Sequence, residues 1–140
     1  MEQGNRMIDR ARLARFTWLS MLASGPLILA FLYFSGINQG IDHIPAEYEA
    51  WFLAAGIASA ALSLPLLRRF REATAKRPAE PNDETYWQRV NAAMSIGNAV
   101  AEIPLFIGFA AYLAGGFLQT ALVLLFLTLM LQSRYRPPVR

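Results

Sequence analysis

The chain contains no cysteine among its 140 residues, which excludes disulfides, thiolate metal sites and thiol catalysis. Its one histidine, His43, lies in a short polar stretch, so neither a metal centre nor a histidine-activated nucleophile has the side chains it needs. Charge is scarce as well: 16% of residues are Asp, Glu, Lys or Arg against 55% hydrophobic, far from the balance of a water-soluble domain. Those charges are confined to the two ends, to 42–49 and to 68–89, with Glu102 as the single exception. A net charge of +3 does not point to nucleic acid, because the basic residues hug the ends of apolar runs. That placement is a topology signal.

What remains between the charges is apolar sequence of bilayer length. A helix crossing the hydrocarbon layer needs about 20 apolar residues, and four segments approach or meet that length: 16–37, 50–67, 91–113 and 117–132. The expectation is an all-α integral membrane protein, one domain spanning 1–140, built as a four-helix bundle. The first segment is too long for a signal-peptide core and is kept as a span. The fourth is short and rich in Leu, as suits an upright helix facing lipid. Residues 68–90 contain Pro78 and Pro81 among polar residues and read as a partly irregular loop.

Direction follows from the basic residues, which cytoplasmic loops retain during insertion. Four precede the first span (Arg6, Arg10, Arg12, Arg15), six lie between the second and third, and three follow the fourth. The two other loops hold Asp42, Glu47 and Glu49 and no basic residue. Both termini and the 68–90 loop are therefore expected on the cytoplasmic side of the cell inner membrane. Trp18, Tyr86, Trp87 and Tyr135 would then mark the inner interface, and Tyr33, Tyr48, Trp51 and Tyr112 the outer one, since amphipathic rings prefer that level.

Glu102 lies within one residue of the middle of the third span. An ionised carboxylate there costs about 2.5–3.5 kcal/mol on insertion scales, so it needs a cation or a donor, whereas the protonated acid donates one hydrogen bond. Asn91, Ser95, Asn98 and Glu102 are spaced by four, three and four and share one helix face. This polar stripe descends from the cytoplasm to the acid, then gives way to Phe106 and Phe109. The same amides and hydroxyls also serve as interhelical hydrogen-bond glue, worth about 0.6 kcal/mol each. The second span, with Gly56, Ser59, Ser63 and several alanines, lets another backbone approach closely. Pro104, two residues past the acid, predicts a local bend.

The stretch from Gly97 through Ala101-Glu102-Ile103-Pro104 to Gly108-Phe109 resembles the ion-carrying helix of rotary ATP synthase c-subunits. Glu102 matches the carboxylate, with Pro104 and Gly108 in the supporting pattern, and 75–80 is loosely similar to that family's polar turn. The resemblance covers about half the chain, and the family's glycine-repeat helix is represented here only by an alanine-rich span with Gly56. It implies a divergent four-helix relative that binds a proton or monovalent cation at Glu102 inside a homo-oligomer or membrane complex. Asn98, Ser95, Asn91, Ser59 and Ser63 would support it, with no cofactor, no metal and no catalytic residue. Small multidrug-resistance exporters also have four short spans and a membrane glutamate preceded by alanine, but carry it in the first span. A proton-coupled exporter and a non-transporting scaffold acting through residues 68–89 stay open as alternatives.

Overall fold

The computed structural model describes residues 9–39, 42–76, 78, 80 and 83–138, and these contain helices but no strand. Six α-helices run in order: α1 (Arg10–Ser35), α2 (Glu49–Ala61), α3 (Ser63–Ala75), α4 (Glu84–Ala101), α5 (Ile103–Gly115) and α6 (Leu118–Ser133). Because α2 continues into α3 and α4 into α5, they make four rods. The rods Arg10–Ser35, Ala46–Ala75 and Glu84–Gly115 are each long and apolar enough to cross a membrane. The fourth, α6, has 16 residues.

Local chemistry explains the ends and breaks. Asp9 caps α1 by accepting from the Arg12 N–H at 3.3 Å, and Asp83 caps α4 by accepting from Thr85 and Tyr86 N–H. Each interior break precedes a proline by two or three residues. Pro65 and Pro104 have no N–H and crowd the carbonyl four residues back, so the ladder is interrupted at Leu62 and at Glu102. Pro26 sits inside α1 without dividing it. Gly36 and Gly116 close α1 and α5 in the left-handed region, at φ 62 and 67, where a side chain would be strained.

The second and third rods pack antiparallel along their length, α2 on α5 and α3 on α4. The helix α3 runs past Leu67 to Ala75 and α4 begins at Glu84, so most of the expected 68–90 loop is helical hairpin. Leu67, Phe70, Tyr86, Trp87, Val90 and Tyr135 form the core at this end. Tyr86, Trp87 and Tyr135 are thus buried packing residues instead of interfacial rings, and Tyr112 is buried too. Trp51 and Tyr33 remain exposed.

The expectation for the fourth span needs correction on one face. α6 presents Leu122, Val123, Phe126 and Met130 outward, but buries Thr120, Ala121, Leu124, Thr128 and Gln132 against α5, α2, α4 and α1. Small residues make this approach possible: a Cβ built on Gly108 would lie 3.2 Å from the Ala121 backbone, and one on Gly56 would collide with the Leu124 side chain. Leu124 is fully buried and has nowhere to retreat. Gly56→Ala is therefore expected to destabilise the bundle by about 1–3 kcal/mol in detergent unfolding monitored by circular dichroism. An unchanged midpoint would show that α2 and α6 do not meet there.

Candidate functional site

The acid sits at the junction of two helices, because the proline break leaves Glu102 between α4 and α5. Its backbone N–H still bonds to the Asn98 carbonyl at 3.0 Å, which fixes the side chain's direction on the face shared with Asn98. From the opposite helix, Gln132 Nε2 donates to Glu102 Oε1 at 3.1 Å. Gln132 is 2% exposed, and its backbone carbonyl accepts from Trp18 Nε1 at 2.8 Å. A single residue near the end of α6 therefore ties the first, third and fourth rods together at the carboxylate.

No basic side chain pairs with Glu102 among the described residues. The ion pairs are Arg10–Glu84, Arg12–Asp9 and Arg68–Glu72, all towards the ends of rods and at 3.8, 3.9 and 3.1 Å. The buried polar groups without a partner are neutral amides and a hydroxyl, except for the Arg15 guanidinium on α1. Asn98, 1% exposed, has neither its amide oxygen nor its amide nitrogen bonded; Thr128 Oγ1 and Asn91 Oδ1 are likewise buried without a partner, as is Arg15 Nε. Each such group costs about 1–3 kcal/mol when left unsatisfied, so a seam holding several has the chemistry to take up water, protons or a small cation.

These residues are ordered along the bundle. Asn91 and Asn98 lie on the hairpin side of Glu102, and Thr128 lies one turn, about 6 Å, beyond Gln132 in the other direction. One turn further, Leu124 closes the row by packing on Gly56 and Gly108. Past it, Thr120 donates to Glu49 Oε1 at 2.9 Å at the far end. The polar line thus runs from the α3–α4 end to just beyond the acid and stops at a leucine.

The other expected residues fall differently. Ser59 and Ser63 are buried, but their hydroxyls donate to Gly56 and Ala60 carbonyls in their own turns, at 2.7 and 3.0 Å, and neither bonds to Glu102. Ser95 is half-buried. Gly108 and Pro104 are buried and act on the backbone, one as a close approach to α6 and the other as the break. Gln132, Thr128 and Trp18 were not expected at the site, Trp18 having been expected only as an inner-interface ring. A signal for two of them exists: Thr120, Leu124, Thr128 and Gln132 recur every fourth residue in a helix otherwise dominated by Leu.

The donor set is one carboxylate, two amides and a hydroxyl, all hard oxygen chemistry apart from the amide nitrogens. It suits a proton or a monovalent cation, and the described residues contain no cluster of three His, Cys, Asp or Glu that would hold a metal ion. Fold and site together define an all-helical bundle with one half-buried, amide-capped carboxylate beside a polar seam. No family model, curated protein or solved structure matches the chain.

Proposed function

We propose that the chain is a four-span protein of the cell inner membrane, with both termini and the α3–α4 hairpin cytoplasmic, that binds a proton or monovalent cation at Glu102. The observation that carries this reading is the Glu102 carboxylate facing a neutral amide, with unpartnered Asn98 and Thr128 on either side and no basic partner among the described residues. A permanent counter-charge would have locked it as an ion. An amide leaves both protonation states available, and the polar line on the hairpin side offers an inward approach.

Membrane insertion is supported by the outer surface, where Phe16, Phe31, Phe34, Trp51, Phe106 and Phe126 are all exposed. Such a belt is costly in water and expected against lipid. α5 counts 13 residues from Ile103 to Gly115, about 20 Å of helix, so Glu102 lies about 5 Å inward of the middle of a 30 Å hydrocarbon layer. The antiparallel pairing of the second and third rods, with a polar turn between them, also suits a divergent relative of the c-subunit hairpin, working as a homo-oligomer or as part of a membrane complex.

Two measurements test this reading. The chain has no native cysteine, so single-cysteine variants report topology: His43→Cys is expected to react with an impermeant maleimide from outside, and Ala75→Cys and Arg136→Cys only after lysis. The reverse pattern would overturn the orientation. A hydrophobic carbodiimide, which attacks protonated buried carboxyls, is expected to label Glu102 faster as pH falls. Labelling that ignores pH would count against a titrating site.

A second reading is favoured by the Gln132 bond itself. If that bond is only interhelical glue, the protein is a scaffold acting through its hairpin, and shortening 76–83 would remove its phenotype while changes at Glu102 would not.

A further inference from the structure

The α3–α4 hairpin forms an open pocket of about 820 Å³ that the Glu102 reading leaves unused. Arg69 lines it from α3, Lys76 from the residue that ends α3, and Arg89 from α4. Two acids also line it, and each is engaged elsewhere. Glu72 pairs with Arg68 at 3.1 Å, and Asp83 accepts the Thr85 and Tyr86 N–H groups as the α4 cap. Arg69, Lys76 and Arg89 have no ion-pair partner among the described residues. Basic residues at the end of a span serve topology wherever they fall around the helix. Three of them bordering one pocket between two helices, while Arg71, Arg134 and Arg136 lie outside it, is a different arrangement.

The geometry points to a phosphate-binding site in this hairpin, taking a phosphate group carried on an anionic phospholipid or free in solution. Three donors around one pocket match the several oxygens of a phosphate. Arg69 lies two residues past Leu67, the last apolar residue of the second span, which is where lipid phosphates sit. The lipid source rests on the membrane reading proposed above, and the soluble source does not.

The test uses the full chain in neutral detergent, with binding of phosphatidic acid, phosphatidylcholine and inorganic phosphate measured by native mass spectrometry and by the rise in unfolding temperature. Phosphatidic acid is expected to bind at least about tenfold more tightly than phosphatidylcholine. R69Q/R89Q is expected to bind phosphatidic acid about twenty-fivefold more weakly, at about fivefold per cation, and K76Q about fivefold more weakly. R134Q/R136Q, which removes the same charge outside the pocket, is expected to change binding less than about twofold. Inorganic phosphate that raises the unfolding temperature and loses its effect in R69Q/R89Q supports the same site with a soluble ligand. Equal losses in both double variants, or no preference for a phosphate anion in the wild type, would overturn the proposal. Because all three cations are exposed, the variants should keep their helical circular dichroism. Should the double variant misfold, the single K76Q change decides between the same two outcomes.

Discussion

Glu102→Gln is expected to abolish carbodiimide labelling and all proton or cation movement while leaving the bundle folded. The replacement has nearly the same shape, and its amide oxygen can still accept the Gln132 Nε2–H that now reaches Glu102 at 3.1 Å. The cost to stability should therefore stay within about 1 kcal/mol, the size of one exchanged hydrogen bond. What disappears is the capacity to exist in two charge states. Glu102→Leu makes a useful contrast, because it leaves the buried Gln132 amide without its partner and should destabilise by about 1–3 kcal/mol. Ion flux in proteoliposomes, with unfolding in detergent as the control, separates the two. Normal flux and normal folding in Glu102→Gln would end the ion-binding reading and leave the scaffold.

The largest stability effect is expected just past the end of α6, at Tyr135. This ring is fully buried, stands 5.4 Å from the Phe70 ring by centroids, covers Gly97, and donates its hydroxyl to the Ser63 carbonyl at 3.0 Å. It joins the second and third rods after α6 has ended. Tyr135→Ala should cost about 3–5 kcal/mol, as other buried aromatic truncations do, whereas Tyr135→Phe should cost about 1 kcal/mol for the lost hydrogen bond. Burial pushes the phenol above its ordinary value of 10.0. A raised acid in the folded state means stability that is complete below pH 10 and lost as pH rises through the folded value. Wild-type unfolding midpoints should fall in that alkaline window, and Tyr135→Phe should remove this share of the fall. If Tyr135→Ala unfolds like the wild type, the tail does not lock the rods.

Much of this was readable from the residues. Apolar run lengths mark the rods, and Pro104 foretells the break at Glu102. The spacing of Asn91, Asn98 and Glu102 locates one side of the seam. The other side was hidden because α6 reads as uniformly apolar: hydrophobic content describes all faces of a helix together, while the Thr128 and Gln132 stripe occupies only one. The hairpin was hidden for a related reason. Residues 68–75 and 84–90 have too few apolar side chains for a span, yet Phe70, Tyr86, Trp87 and Val90 suffice for two helices packed on each other outside it. The same packing draws in the aromatics expected at the interface, since a buried partner offers a ring more contact than a boundary does.

The break at Glu102 has an electrostatic consequence. The residue is at once the C-terminal end of α4 and the N-terminal end of α5, and its side chain caps neither. The partial negative charge of one helix end and the partial positive charge of the next meet there, each about half an elementary charge, and largely offset. A carboxylate at an isolated helix start would borrow stability from aligned peptide dipoles. At this splice the backbone offers almost none, so the charge of residue 102 is governed by the few side chains beside it.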